Sequence, residues 1–569
     1  MSCGLTMSNI VSPQVINKSA ITMDAKRKTI FTVLMVLVFL LPFLSMQNFS
    51  LSTDELTHIP SGYSYWKTGE IKLNPQHPPF VKLWATLPLL FLNPSFDKND
   101  PLIAGAKPDE WQFGRKFLFL SGNDADKIIF WSRTMAILLS VVLALYIFKW
   151  TAALFGADAG LFALFLYAFV PTIIAHAQLV TTDVGVAAFA TAFLYYLRQL
   201  LKTNARKFIW PSGLFLGLAL GAKFSAVILL PIYPVLILAN IFWNHPKMSG
   251  KWTQFFKYSV FIFAIAVAVI YALYFFPSDS GFYKKGLDSV YRDGRAAYQF
   301  YLNGDFRSGG WWYYFPEAFV VKNPIPLLAA FFLGLLFRRK IKTDKIDALF
   351  LFLPLIAFFL ATMIFARDIG VRYIILVYPF LLINSGRIWA IFARSCGLTM
   401  SNIVSPQVIE FFGKRFVRAG TISMIILSVW YVVSAVRIFP DYLSYFNELT
   451  GGSSNGWKYL DDSNIDWGQD LKRLKKFIVQ NPDALVVYPW PPGNEALKYY
   501  GIAPEKNLFF IKKNWWAEPK GLYAISSYFL IRAQRIAAAK NDPAMDWLKL
   551  YQPSSRIGQS FFVYDFRSN

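Results

Sequence analysis

Thr53-Asp54-Glu55-Leu56-Thr57-His58, followed by Gly62-Tyr63 and closed by Asn74-Pro75-Gln76-His77-Pro78-Pro79, stands just after the first strongly apolar run of the chain, Ile30 to Met46. Two adjacent carboxylates, two of the four histidines and a rigid Pro-Pro are gathered in one short stretch. Ionisable groups are costly to hold beside hydrocarbon, so such a cluster reads as a site. The rest of the chain is then read for its side of the membrane relative to Asp54.

Hydrophobic residues make up 55% of the 569 and aromatics 18%, more than a soluble chain of this size covers with polar surface. The composition is that of a polytopic α-helical membrane protein. A net charge of +23 would suit nucleic acid, but Lys and Arg stand in short clusters between apolar runs. That is the pattern of positive-inside loops and not the continuous patch that tracks phosphates, so nucleic acid is excluded as a partner. The first run lacks a small-x-small exit and reads as a signal anchor rather than a cleaved signal peptide. Ser2 to Ile16 recurs letter for letter as Ser395 to Ile409. Fold repeats drift, so this is an inserted or duplicated element without a catalytic role. It holds both cysteines, Cys3 and Cys396, which leaves neither a disulfide framework nor a thiolate metal site.

Lys26-Arg27-Lys28 set residues 1–29 in the cytoplasm as an N-terminal tail, and Asp54 outside. With the first run, apolar segments near 128–149, 152–175, 183–200, 208–222, 224–243, 257–276, 318–337, 346–366, 371–391 and 420–438 make about eleven spans in a membrane domain over 30–438. Outer loops are expected at 47–127 and 277–317, the first holding a short interfacial or re-entrant helix over 80–93. Alternating sides puts Arg198, Lys202, Arg206, Lys207, Lys247, Lys251, Lys257 and the 338–345 and 387–418 clusters inside, with only Lys223, Arg367 and Arg372 on short outer turns. Residues 439–569 turn polar and mixed, with helices expected near 470–480 and 533–540 and strands near 484–488, 521–525 and 560–564. They read as a small extracytoplasmic α/β domain. Its Asp462-x-Asn464-x-Asp466 mimics the start of a calcium loop, but Trp467 stands where glycine is needed and Arg473 where glutamate is.

Asp54-Glu55 with His77-Pro78-Pro79, Thr182-Asp183 at a span end, Trp311 to Pro316 followed by Lys322-Asn323-Pro324, and Gly370-Val371-Arg372-Tyr373 ahead of Tyr378-Pro379 together resemble the GT-C class of polyprenyl-phosphate-dependent glycosyltransferases. The resemblance, over about 50–390, is to bacterial relatives of the protein O-mannosyltransferases, with aminoarabinose transferases as cousins. The tail Tyr445-Phe446-Asn447-Glu448-Leu449 and Asp462 to Asp470 resembles one bacterial branch of that family. It implies a polyprenyl-phosphate-linked sugar donor, a hydroxyl acceptor on protein, lipid or envelope glycan, a bacterial inner-membrane location with the site facing outward, and inversion at the sugar carbon.

The residues suit that chemistry. A hydroxyl attacking a sugar C1 needs a carboxylate to take its proton, and a departing lipid phosphate needs cations. Asp54 is the expected base, with Glu55 orienting it or binding acceptor; the bland alternative is a helix cap. Lys223, Arg367 and Arg372, with His77 and Lys82 behind them, are the candidates for the phosphate, against a reading as snorkelling cations. His58 and Asp183 are expected to bind acceptor or to be structural, Asp183 through an ion pair. No cofactor is required. Histidines 58, 77 and 176 share the outer face, and a carboxylate with one or two of them would bind zinc or manganese. A transporter or lipid flippase is the competing class, and a non-catalytic lipid-binding envelope protein a third. Either would tolerate neutralisation of Asp54. Neither the sugar nor the acceptor is written in these motifs.

The loop charges generate a test of sidedness. Cys3 and Cys396 should resist a membrane-impermeant thiol reagent in intact cells and react after permeabilisation; labelling of Cys396 in intact cells would overturn the orientation.

Overall fold

The computed structural model describes residues 23–105, 107–244, 251–292, 298–336, 343–395, 413–510 and 514–567. Both copies of the repeated element, apart from Ser395 at a helix end, lie outside these residues. In chain order the helices used below are α1 (Ala25–Met46), α2 (Glu55–Thr68), α3 (Phe80–Thr86), α4 (Ala125–Phe155), α5 (Ala157–Ala168), α6 (Pro171–Ala177), α7 (Thr182–Thr203), α8 (Ile209–Ala222), α9 (Leu229–Asn244), α10 (Lys251–Leu273), α11 (Tyr314–Val321), α12 (Ile325–Leu336), α13 (Lys345–Phe365), α14 (Tyr378–Ser395) and α15 (Gly413–Arg437). Among the described residues eight are long and apolar enough to cross a bilayer, ten if the bent pairs α5–α6 and α11–α12 count as one span each. The chain is a multi-pass helical membrane protein.

The expected eleven spans are therefore corrected to eight, or ten with the bent pairs. The shortfall is α8, whose 14 residues cover about 21 Å against about 30 Å of hydrocarbon. It still runs back along α7, because Lys223 just past its end bonds Asp183 in the first turn of α7 at 2.5 Å. Tighter-wound 3-10 turns over Arg206–Phe208 and Phe224–Ile228 extend it at either end. The segment expected as one helix over 152–175 is bent by 68° between α5 and α6, where Pro171 forces Val170 into an extended conformation.

The segment expected as a straight span over 318–337 is bent by 115° between α11 and α12, at Lys322-Asn323-Pro324. A break at membrane depth is tolerable only where protein groups take up the freed backbone. Asn323 Nδ2 donates to Phe319 O at 2.7 Å, and Asn447 Nδ2 donates to Val320 O and Asn323 O at 2.6 and 2.8 Å. Lys322 Nζ turns to the carbonyls of Leu443 and Asn464, each at 2.7 Å. The Lys-Asn-Pro and Phe-Asn-Glu-Leu motifs are thus two halves of one repair.

Residues 439–569 carry a four-stranded sheet of order β3-β4-β6-β5, from β3 (Leu485–Val487), β4 (Leu522–Ser526), β5 (Ser555–Ile557) and β6 (Phe561–Asp565), while β1 (Phe300–Leu302) and β2 (Asp305–Arg307) pair as a separate hairpin. β3 and β4 are parallel and the other pairings antiparallel. Side chains alternate: Val487, Tyr523, Ile525, Phe562 and Tyr564 pack around Trp547, and Val486, Ala524, Phe561 and Val563 face the opposite way. That second face shares its core with Ile174 and Ala175 of α6 and with Leu179, so the sheet is fused to the membrane helices.

The stretch before Asp54 is held by a buried ion pair. Arg133 of α4 donates to both carboxylate oxygens of Glu55, at 2.9 and 2.6 Å, and to Ser50 O at 2.7 Å. Ser52 N and Oγ, each at 2.9 Å, and Val180 N at 3.1 Å complete the carboxylate's partners. Burial would push the Glu55 carboxyl up, but the Arg133 guanidinium with these bonds holds it below the ordinary glutamate value.

Breaking this pair from one side leaves a buried charge uncompensated, a loss of about 3–5 kcal/mol. Arg133→Met should lower the melting temperature of purified protein sharply, and Arg133→Met with Glu55→Gln should recover part of the loss. Equal melting of Arg133→Met and wild type would contradict the role. Because the Glu55 value is lowered in the fold, its contribution is present above the ordinary glutamate pKa and lost as pH falls through the lowered one.

Candidate functional site

Asp54 occupies the N-cap position of α2, yet its side chain makes no capping bond. It reaches instead to Arg372, whose Nη1 lies 2.5 Å from Asp54 Oδ2, with the two side chains 23% and 10% exposed. Among the described residues Asp54 Oδ1 has no protein partner. Arg372 stands in the 3-10 turn Val371–Val377 ahead of α14. Its guanidinium lies 4.3 Å from the Trp467 ring centre and 5.2 Å from that of Tyr373. The ammonium of Lys223 lies 4.8 Å from the centre of the same Tyr373 ring, so both cations stand against one aromatic ring. His58 Nδ1 bonds Val180 O at 2.7 Å, and the His77 ring stands edge-on to it at 5.1 Å. Burial lowers the pKa of both histidines, that of His77 further, with neighbouring cations acting the same way; near neutral pH both rings are uncharged.

The structure thus brings Asp54, Arg372, Asp183, Lys223, His58 and His77 into one cluster, and takes two expected residues out of it. Glu55 is fully buried against Arg133 and cannot meet a substrate. Lys82 is buried too, its ammonium donating to Asn74 O, Asn74 Oδ1, His77 O and Tyr65 Oη at 2.7 to 3.1 Å. Burial pushes Lys82 down to about 7, and its work is to close the 74–77 turn, not to receive a phosphate. Asp183 and Lys223 form the ion pair weighed for Asp183. Arg367 is part-exposed on the 366–370 link that leads to Arg372. Among the described residues no group of three or more His, Cys, Asp or Glu side chains is placed to hold a metal ion, so histidines 58, 77 and 176 do not fit the zinc or manganese arrangement.

The C-terminal segment 461–470 contributes what motif reading did not assign. Thr53 N and Oγ1 donate to Trp467 O at 3.0 and 3.2 Å, and Ser50 N donates to Gln469 O at 2.8 Å. On its other side Ser463 Oγ donates to Ile369 O at 2.7 Å, and Val371 N to Asn464 Oδ1 at 3.0 Å. One segment therefore grips the residues before Asp54 and those before Arg372, while Trp467 covers the guanidinium. Its acids anchor it to the sheet: Ser526 Oγ donates to Asp466 Oδ2 at 2.5 Å and Ser560 Oγ to Asp470 Oδ2 at 2.6 Å. The dense Asp462 to Asp470 motif was the available signal; pairing it with Asp54 needed the fold.

Among the described residues, four of the buried side-chain polar atoms without a protein partner lie on these segments. They are Arg372 Nε and, on the stretch leading into α7, His176 Nδ1, Gln178 Oε1 and Thr181 Oγ1. Buried polar groups are normally hydrogen-bonded, so these four atoms have bonding capacity left for water or a ligand. The cluster combines a carboxylate with one oxygen unpartnered, two cations and unspent donors, groups of the kind that transfer from a phosphate to a hydroxyl requires.

Residues 117–274 match the family model described as dolichyl-phosphate-mannose-protein mannosyltransferase, under a third of the chain. That range contains Arg133, His176, Asp183 and Lys223; Asp54 and Arg372 lie outside it. No curated protein sequence matches the chain. Among solved structures, ArnT from Cupriavidus metallidurans bound to undecaprenyl phosphate is similar at 15% identity, over 94% of this chain and 97% of that one, with a TM-score of 0.44. The Pmt1–Pmt2 protein O-mannosyltransferase complex of S. cerevisiae bound to its sugar donor is 16% identical over 50% of this chain and 37% of that one, at 0.33. The apo oligosaccharyltransferase of Archaeoglobus fulgidus is 13% identical over 83% and 59%, at 0.46. Segment 117–274 is similar to the dolichyl-phosphate-mannose-protein mannosyltransferase family model, in agreement with the resemblance drawn from the sequence motifs.

Proposed function

We propose that this protein is a membrane glycosyltransferase that moves a sugar from a polyprenyl-phosphate donor to a hydroxyl acceptor, with Asp54 as general base. The observation that carries the reading is the Asp54–Arg372 pair, a carboxylate with one oxygen unspent beside a guanidinium with most of its donors unspent. The acceptor oxygen attacks C1 of the sugar as the bond from C1 to the phosphate oxygen breaks. The acceptor proton passes to Asp54 Oδ1, and the bonding pair leaves on the lipid phosphate. Arg372 and Lys223 receive that charge, so no separate acid is needed on the leaving side. Attack opposite the leaving group inverts the anomeric carbon. Trp467 is a positioning residue that holds Arg372 in its rotamer.

The side whose loops are poor in Lys and Arg is the extracytoplasmic one, in a bacterial inner membrane. There the site meets a polyprenyl phosphate head group and acceptors already outside. The sugar is a hexose such as mannose or a related sugar, and the acceptor a protein hydroxyl, a lipid or an envelope glycan; mass spectrometry of envelope proteins and glycolipids from a deletion strain identifies which.

With purified enzyme and a radiolabelled polyprenyl-phosphate sugar, Asp54→Asn should lose about 10²- to 10⁴-fold in kcat while still binding the donor. Arg372→Ala should weaken donor binding as well. If Asp54→Asn transfers at the wild-type rate, the base lies elsewhere. If wild type transfers from no such donor but carries the lipid-linked sugar across vesicle membranes, the flippase reading replaces this one.

Trp467→Ala should raise the donor KM and lower kcat together, with the loss largely rescued by Trp467→Phe, which keeps a ring over the guanidinium. Unchanged kinetics in a Trp467→Ala protein that melts like wild type would remove Trp467 from the site.

A further inference from the structure

Helices α8 and α10 enclose a groove of about 940 Å³, lined by Arg206, Trp210, Gln254, Lys257, Phe261 and Ile265 among others. It opens on the membrane face opposite Asp54. Arg206 follows the end of α7 at Thr203, whereas Lys223 bonds Asp183 at the start of α7. The 22 residues of α7 separate the two places by about 33 Å.

The groove arises from a change in the packing stripe of α8. A Cβ added at Gly213, Gly217 or Gly221 would come within 2.7, 2.7 and 2.4 Å of Ile265, Val269 and Leu273, so glycine at every fourth position lets the two backbones touch. One step further back the stripe is Ile209, and beside it stands Trp210, 57% exposed. Both residues line the groove that opens there between the helices. Gln254 is fixed on the floor of the gap by bonds from its Nε2 to Asn204 Oδ1 and Tyr258 Oη, at 3.0 and 2.7 Å.

The charge in the groove is one-sided. Asp344 and Asp347, acids of the same face, are engaged by Lys202 and Arg198. Among the described residues neither Arg206 nor Lys257 has an ion-pair partner, and the lining contains no acid. Two unneutralised cations therefore stand where a polar end meets an apolar wall of Phe261 and Ile265 that is open to the lipid. A tryptophan at that depth is the usual marker of the interface.

We infer that this groove is a binding site for one anionic phospholipid of the leaflet opposite the Asp54 cluster, its phosphate on Arg206 and Lys257 and an acyl chain along Phe261 and Ile265. Basic pockets between membrane helices select anionic head groups in this way, each cation near the surface being worth about a five-fold preference. The inference does not depend on the proposed sugar transfer.

The test offers purified full-length protein a mixture of phosphatidylglycerol, phosphatidylcholine and a polyprenyl phosphate, and reads retained lipid by native mass spectrometry. One phosphatidylglycerol per chain should remain on wild type and on Lys345→Ala, a control that alters an exposed cation outside the groove. Arg206→Ala with Lys257→Ala should reduce retention roughly thirty-fold. As a second readout, phosphatidylglycerol but not phosphatidylcholine should raise the melting temperature of wild type, and not that of the double variant. Equal retention of phosphatidylcholine, preference for the polyprenyl phosphate, or undiminished phosphatidylglycerol on the double variant would each overturn the inference.

Discussion

The pairing of Glu55 with Arg133 is the constraint from which the site follows. Two charges are taken wholly out of water, which is favourable only when the geometry is good and the remaining lone pairs are satisfied. Here the carboxylate accepts two bonds from the guanidinium and three more from Ser52 and Val180. Those partners come from α4, from the loop before α2 and from the stretch before α7, so one ion pair sets three segments in register. It also decides between two neighbouring carboxylates. Glu55 is spent on structure, and Asp54, turned the other way, keeps solvent access and an unspent oxygen. Adjacent acids held in opposed environments are how a fold gives one of them to chemistry.

The second constraint is the broken pair α11–α12. Its 115° bend is repaired by Asn447 and by Lys322, and the carbonyls that Lys322 uses, those of Leu443 and Asn464, belong to the C-terminal segment. The same segment grips the residues before Asp54 and before Arg372. The C-terminal residues are therefore built into the site's walls, and the bend in the membrane and the aromatic cover over Arg372 are parts of one arrangement.

Much of this was legible in the sequence. Apolar runs located the membrane helices, and β3, β4, β6 and the helix over Leu471–Gln480 fall on the segments expected for them. The motif residues Asp54, His77, Asp183 and Arg372, far apart in the chain, do meet. What was not legible is physical in origin. A run of apolar residues reads the same whether the helix is straight or broken, so hydropathy alone does not reveal the bends at Pro171 and Pro324. Lys82 and Glu55 carry the residue types of a site, and only the fold reveals that backbone carbonyls and Arg133 consume them. Trp467 lies more than four hundred residues from Asp54 along the chain, a distance over which local pattern carries no information.

The central claim is that Arg372 and Lys223 receive a lipid phosphate beside Asp54. The most direct measurement is a cryo-electron-microscopy structure of the protein in nanodiscs with a polyprenyl phosphate. The account predicts phosphate density within hydrogen-bonding distance of the Arg372 guanidinium and the Lys223 ammonium, with the isoprenoid tail leading into the bilayer. Phosphate bound elsewhere, with the Asp54–Arg372 pair closed and untouched, would contradict it.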